Sequence, residues 1–240
     1  MQKRILETCF SPALFEADRH RNSIVVILDI LRASSAICTA FANGTSRIIP
    51  VTEISEAKEY KEKGFLVAAE RDGFVLDFAD FGNSPFNFTR DKVENKTIVY
   101  STTNGTGLLK LASSSYQTVV GSFLNMSSLS HWLTMQDRDV ILLCAGWKNR
   151  FNLEDSVCAG AITERLLESG RFNTICDSTN AAVDLWSLAK GDLKAYIDKA
   201  AQRSRLRDKN LDDCIGYCLT IDLTNVIPVM ENGVLVGKTF

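Results

Sequence analysis

The stretch SIVVILDILRASSAICTAFANG, residues 23–44, decides how this chain is read. The apolar run from Ile24 to Leu28 is short and rich in β-branched side chains, which suits a strand buried on both faces. It runs straight into Asp29. Arg32, Ser34 and Ser35 follow, and the spacing then predicts a helix over 33–42. A strand with the composition of a core thus delivers a carboxylate, a guanidinium and two hydroxyls at its carboxyl end.

Outward from this stretch the alternation repeats. Apolar, β-branched runs at 47–51, 65–69, 97–101, 118–122 and 140–144 read as strands, and helical spacing recurs at 54–62, 107–112, 127–133, 154–168 and 180–189. Such alternation predicts an α/β fold, a three-layer arrangement with a largely parallel or mixed sheet covered on both faces. Beyond residue 190 the chain reads as polar helices. It closes on VIPVMENGVLVG, a hairpin around Asn232-Gly233. No internal repeat, low-complexity tract or clean linker divides it, so residues 1–240 are expected to form a single α/β unit, with two intertwined lobes as the alternative.

Composition narrows the function classes. With 45% hydrophobic and 23% charged residues and a net charge of −2, the chain lacks the basic footprint of a nucleic-acid binder. No run reaches the roughly 18 apolar residues of a membrane span, and the first residues lack the apolar core of a signal peptide. Seven cysteines, an odd number scattered along the chain, fit reduced thiols and a cytoplasmic location. Cys214 and Cys218 read as packing residues rather than a metal pair. The polar C-terminal helices and the final hairpin could serve a homodimer.

Polar clusters follow the expected strands: LDILRASS, AERDG, YSTTNGTG, GSFLNMSS and CAGWKNRFNLED. In an open parallel sheet the carboxyl ends share one edge, and ligands bind in the crevice there. Ser, Thr, Asn or Gly opens several of the following helices, where free N–H groups favour an anion; capping is the plainer explanation of each. Arg32, Arg71 and Arg150 each lie near a strand end, and three guanidinium forks suggest a small ligand with several anionic groups. Asp29, Glu70, Glu154 and Asp155 lie in or beside the same loops. Oxygen donors without histidine point to a hard cation such as Mg²⁺. Asp29 could equally cap its helix, and Asn152 with Glu154 and Asp155 could be a cap and its first-turn acids.

Together these segments resemble the 2-phosphosulfolactate phosphatase family, Mg²⁺-dependent enzymes first associated with coenzyme M biosynthesis. The matching residues are DILRASS, ANG, AERDG, DFGNSPFNF, TTNGTGLL, GSFLN, CAGWKNRFNLEDSVCAGAI and DDCIGYC, in the family's order across residues 24–230. Ser35 stands where the family often has threonine, and Ala69 where glycine is common. The resemblance implies hydrolysis of a phosphate monoester on a sulfonated three-carbon acid, with active residues at the carboxyl ends of the strands.

Such a substrate carries a phosphate, a sulfonate and a carboxylate, which suits several cationic groups. Asp29, Arg32 and Asp155 are the expected catalytic residues, and Asp29, Glu70, Glu154 and Asp155 the expected Mg²⁺ ligands. Ser34, Ser35, Arg71, Asn83, Ser84, Thr103, Asn104, Gly105, Asn125, Lys148 and Arg150 are the expected substrate contacts. A helix terminus contributes about 0.3–1 kcal/mol, whereas monoester hydrolysis can require rate enhancements up to ~10²¹. The metal is therefore expected to carry much of the charge stabilisation.

Two rivals remain at this point. Cys144 and Arg150 have the C-x₅-R spacing of cysteine-dependent phosphatases, although Trp147 is bulky for a loop around an anion and Phe151 stands where that class has Ser or Thr. The other is a non-catalytic small-anion binding protein using the same helix termini. A haloacid-dehalogenase mechanism is not supported, because Leu31 occupies the position of its second aspartate.

Overall fold

The computed structural model describes residues 3–240. Its strands are β1 (Arg4–Cys9), β2 (Ile24–Leu28), β3 (Arg47–Pro50), β4 (Leu66–Arg71), β5 (Phe74–Val75), β6 (Thr97–Ser101), β7 (Gln117–Gly121), β8 (Val140–Cys144), β9 (Phe172–Asn173), β10 (Ile227–Glu231) and β11 (Val234–Lys238). The helices are α1 (Ala33–Ala42), α2 (Ile54–Glu62), α3 (Arg90–Val93), α4 (Gly105–Leu111), α5 (Met126–Met135), α6 (Leu153–Glu168), α7 (Asp177–Ala189), α8 (Leu193–Ile197), α9 (Ala201–Arg207) and α10 (Ile215–Cys218).

One mixed sheet of eleven strands runs in the order β5-β4-β6-β3-β11-β10-β7-β2-β8-β1-β9. It contains two parallel blocks, β4-β6-β3 and β7-β2-β8-β1-β9. The antiparallel hairpin β10–β11 joins them, pairing with β7 on one side and β3 on the other. Asn232 and Gly233 take left-handed conformations at its turn, as a two-residue hairpin requires. The hairpin expected to offer a surface to a second copy therefore lies inside the sheet, with both edges occupied.

Following strand directions through that hairpin, the two blocks run in opposite senses. A flat sheet would hold the ends of β2 and β6 apart, yet Gly105, just after β6, packs against Asp29, just after β2. The sheet curls, and α1 is what it curls around. Every residue from Ala33 to Phe41 is buried. One hydrophobic cluster joins Val25 and Ile27 of β2 to Ile48, Ile98 and Tyr100 of the other block through Ala36, Ile37 and Leu108. The small residues of ASSAICTAFA let structure close in on all sides of this helix. Their hydroxyls turn back to backbone carbonyls: Ser35 to Ile30 at 2.9 Å and Thr39 to Ser35 at 2.8 Å.

A second cluster packs β2 and β8 under α5, α6, α7 and the C-terminal helices, and a third packs Ala57 of α2 onto Val67 and Val99. The expected strands and helices thus recur with small shifts at their ends. The strands missed by sequence reading are β1, β5 and β9. In β1 Arg4 and Glu7 interrupt the apolar pattern, and β5 and β9 have two residues each. Among the described residues no helix is long and apolar enough to cross a membrane.

Candidate active site

The loops after β2, β4, β6 and β8 meet at a cleft that α9 closes. It is lined by Asp29, Leu31, Arg32, Glu70, Asp72, Gly73, Asn83, Thr103, Asn104, Trp147, Gln202, Arg205, Leu206 and Lys209. Asp29 stands at its base. Ser34 fixes the backbone there: its Oγ accepts the Asp29 N–H at 2.9 Å and lies 3.3 Å from the Ile27 carbonyl. The Asp29 carbonyl accepts the Ser34 N–H at 2.8 Å, while Oδ1 receives a long contact of 3.4 Å from the Ala33 N–H. Asp29 is therefore a weak cap at most, and its carboxyl remains available to the cleft. The Leu31–Arg32 peptide bond is cis.

Glu154 and Asp155 occupy the first turn of α6 and are both fully buried. Their roles divide. Asp155 ties two loops together: Oδ1 accepts the Ile30 N–H at 2.8 Å, and Oδ2 accepts the Gly146 N–H at 3.2 Å. Glu154 Oε1 accepts from the Asn152 side chain at 3.0 Å, whereas Oε2 is buried with no partner among the described residues. Asn152 holds the N-cap position without a side-chain cap bond.

Burial and mutual repulsion push these acids up. Asp29 rises to about 8, through burial first and then the charges of Asp155 and Glu70. Asp155 rises to about 8 through burial and Glu154, although two backbone N–H groups oppose the shift. Glu154 rises to about 7 through burial, with Asp29 adding and Arg205 opposing. Three carboxyls that resist ionisation raise one another, Asp29 lining the cleft and Glu154 and Asp155 fully buried, the pattern of a site built to meet a cation or hold a proton.

Glu70 is buried but well supplied with donors. It accepts from the Gly73 N–H at 2.6 Å and from the Thr103 N–H at 2.8 Å, with Thr103 Oγ1 at 3.3 Å. It thereby fixes the β4–β5 turn against the loop that precedes α4. Asn83 reaches the cleft and accepts a hydrogen bond from the Tyr100 hydroxyl. Gly105 opens α4, where a Cβ would meet Ala33 and Asp29.

Other expected contacts lie elsewhere. Arg71 donates to the carbonyls of Glu70, Ser101 and Thr52 and to Ser101 Oγ, at 2.7–3.2 Å, so its guanidinium braces β4 against β6. Arg150 is exposed and closes a tight turn with Trp147 whose central residues, Lys148 and Asn149, are left-handed. Lys148 is exposed beside a neighbouring groove that shares Thr103 and Asn104 with the cleft. Asn125 is buried and donates to the Val120 and Val226 carbonyls. Ser84 caps the one-turn helix Pro85–Asn87, and Ser35 bonds the Ile30 carbonyl.

That turn also removes the cysteine mechanism. Cys144 is fully buried, burial and Asp155 hold its thiol well above the usual range, and the loop to Arg150 is a tight turn rather than a cradle of N–H groups. Cys214 and Cys218 pack in the core as expected. A hydrogen bond with Cys218 and the charge of Arg32 lower Cys214 to about 7.

The cations that do line the cleft with Arg32 are Arg205 and Lys209, which sequence reading missed. They belong to AQRSRLRDKN, where Gln202, Arg205 and Lys209 fall at i, i+3 and i+7 on one helical face. That spacing was the available signal. Lys209 also donates to the Asp72 carbonyl and lies 5.1 Å from the Phe74 ring centroid, fastening the β4–β5 turn over the cleft.

Similarity to known proteins agrees with this geometry. A family model described as 2-phosphosulpholactate phosphatase matches residues 9–233. The chain belongs to that family. Its members are phosphoric monoester hydrolases. A probable 2-phosphosulfolactate phosphatase of Thermotoga maritima is 36% identical, over 90% of this chain and 92% of its own. Proteins of the same description from Caldanaerobacter subterraneus subsp. tengcongensis and Clostridium novyi are 34% and 32% identical, over 88% and 93% of this chain and 89% and 95% of their own.

Mg²⁺ is the cation expected from the sequence. Among the described residues no group of three or more His, Cys, Asp and Glu is placed to hold a metal ion. Mg²⁺ is commonly held by one or two carboxylates, with substrate oxygens and water completing its shell. Asp29 and the unpartnered Glu154 Oε2 fit that mode. Asp155 and Glu70, engaged by backbone donors, would support it from behind.

Proposed function

We propose that this protein is a Mg²⁺-dependent phosphatase acting on a phosphate monoester of a small sulfonated or carboxylated hydroxy acid. Its first candidate substrate is 2-phosphosulfolactate, giving sulfolactate and phosphate. The observation that carries this reading is Asp29, raised by burial and interacting by charge with the buried Glu154 and Asp155, lining one cleft with Arg32, Arg205 and Lys209. Unpaired carboxylates would repel an anion, and unpaired cations would not need the carboxylates. Seven free cysteines support a reducing, cytoplasmic setting, where a coenzyme M precursor could be processed.

Phosphoryl transfer asks chiefly for positioning and charge. Held by Asp29 and Glu154, the Mg²⁺ would neutralise phosphoryl oxygens. Arg32, which lines the cleft, would meet the same oxygens from the protein side. Asp155 keeps the loops that carry Asp29 and Gly146 in register, and Thr103 and Asn104 line the opposite wall. The β4–β5 turn, fastened by Glu70 and Lys209, supplies Asp72 and Gly73 to the cleft lining.

Phosphate release from 2-phosphosulfolactate and related phospho-hydroxy acids, with Mg²⁺ and with EDTA, tests the proposal. Release that EDTA abolishes and Mg²⁺ restores is expected. Binding without release would favour the anion-binding reading, and release that survives EDTA would remove the metal.

A further inference from the structure

Between the end of β3 and the start of β7, beside the turn of the β10–β11 hairpin, lies a cavity of about 510 Å³ that shares no lining residue with the cleft. Small-molecule sites run to roughly 300–1,000 Å³. Buried Val51 and Leu109 and half-buried Met230 give the cavity an apolar floor, whereas Glu56, Lys110 and Tyr116 stand exposed at its rim. Thr106, Leu109, Lys110 and Ser113 line it at i, i+3, i+4 and i+7. One face of α4, carried on into the chain after it, is therefore a wall of the cavity. Charge at the rim favours an anion. Lys110 joins none of the ion pairs among the described residues. Neither does Arg138, whose guanidinium carbon lies 4.2 Å from the centroid of the Tyr116 ring, and Glu56 is the one acid in the lining. Ser115 adds an unmet demand: its Oγ is buried with no hydrogen-bond partner among the described residues. Such a hydroxyl is costly to leave unpaired, and an oxygen on a ligand would satisfy it.

We propose that this cavity is an effector site for a small organic carboxylate with an apolar body, whose occupation tightens substrate binding through α4. The effect on substrate rests on the phosphatase reading above; the site itself does not. Lys110 takes the carboxylate with Ser115, and Val51, Leu109 and Met230 take the apolar body. The consequence travels because α4 also meets the active site: Gly105, its first residue, packs against Ala33 and Asp29. A second link starts at Thr52 in the cavity wall, whose carbonyl accepts from Arg71 Nη2 at 3.0 Å. Arg71 Nη1 donates to the Glu70 carbonyl at 2.7 Å, and the Glu70 carboxylate accepts the Thr103 N–H at 2.8 Å. An occupant adds contacts along α4 and favours the arrangement in which Thr103 and Gly105 keep their places at the cleft. By linkage, a ligand in the cleft tightens the effector by the same factor.

The test uses the full chain, unsubstituted and with Lys110→Gln or Ser115→Ala. Each is titrated by calorimetry with hexanoate and hydrocinnamate, and with the corresponding neutral alcohols. At least one carboxylate should bind, about tenfold or more tighter than its alcohol. Lys110→Gln should weaken that binding about tenfold and Ser115→Ala about threefold, with melting temperatures unchanged. The carboxylate should lower KM for 2-phosphosulfolactate about threefold and slow amide hydrogen exchange at Thr103 and along α4. A raised KM would show competition in the cleft and overturn the proposal, and so would an unaltered KM. Failure of both carboxylates to bind, alcohols that bind equally well, or affinity unchanged in either variant would overturn it too. Should the protein hydrolyse no substrate, the phosphatase reading fails by itself. Hydrogen exchange then still decides the effector site, since rates unchanged along α4 overturn it.

Discussion

Gly105, the first residue of α4, abuts Ala33, the first residue of α1: a Cβ on Gly105 would come to 2.8 Å from the Ala33 Cβ and 3.5 Å from Asp29 Oδ2. Two helix starts from opposite blocks of the curled sheet meet at the base of the cleft. The Ala33 Cβ is fixed to its helix backbone, so a methyl group must push the start of α4 away from α1. Gly105→Ala should cost about 1–3 kcal/mol, the usual range for overpacking. Phosphate release should fall more steeply than stability, because the displaced elements carry the reacting end. Thermal melts and kinetics on one preparation check both. Unchanged values would show that the contact yields freely.

The strand ends were legible because buried parallel strands are apolar runs, and the polar residues that follow them break the pattern sharply. Asp29, Glu70, Thr103 and Asn104 were found in this way, and Asn83 through the family's GNSP segment. Two things were not legible. The opposed directions of the two blocks depend on the β10–β11 hairpin, whose partners lie far away in sequence. Cationic residues, moreover, cannot be sorted by position alone. Arg71 stands at a strand end, where a ligand contact is expected, yet it meets carbonyls on the strand beside it, whereas Arg205 reaches the cleft on a helix from the C-terminal region. Only the packing of α9 against Leu31 and Trp147 separates them.

Asp29→Asn separates capping from chemistry. Asparagine retains an acceptor for the Ala33 N–H and caps about as well as aspartate. The variant should fold, and it should be at least as stable at pH 8, because it removes a buried acid whose ionisation the fold resists. Its phosphatase activity should fall at least ~100-fold, the lower end of what losing one major charge-stabilising group costs. Full Mg²⁺-dependent activity would exclude Asp29 from the reaction.

Raised carboxyls give the metal-free protein a definite pH dependence. Asp29 and Asp155 titrate at about 8 and Glu154 at about 7, above their ordinary values of 3.8, 3.8 and 4.5. The fold therefore binds protons that the unfolded chain has released. This contribution is fully present below pH ~4 and is lost as pH rises through the folded values near 7–8. With other groups equal, the melting temperature in EDTA should decline from pH 5 to pH 9. Mg²⁺ should raise it more at pH 8 than at pH 5, because a cation binds the ionised acids. A Mg²⁺ shift independent of pH would argue against ligation by these carboxyls.

Arg71 offers the converse case, a strand-end arginine whose guanidinium faces the scaffold. Its four hydrogen bonds reach Thr52 after β3, Glu70 in β4 and Ser101 in β6, so it holds three neighbouring chain segments at the rim of the sheet. Arg71→Met keeps much of the apolar stem and leaves those acceptors without their donor. A loss of about 1–3 kcal/mol follows from exposing buried acceptors to that deficit. For a chain of this size each kilocalorie lowers the melting temperature by roughly 2–4 °C. KM for 2-phosphosulfolactate should stay within about threefold, since the guanidinium does not line the cleft; kcat should fall modestly as the adjoining Glu70–Thr103 contact loosens. An Arg71 that bound substrate would behave in the opposite way, with little change in melting and a KM raised tenfold or more. Melting curves and steady-state kinetics for Arg71→Met therefore assign this arginine to scaffold or substrate.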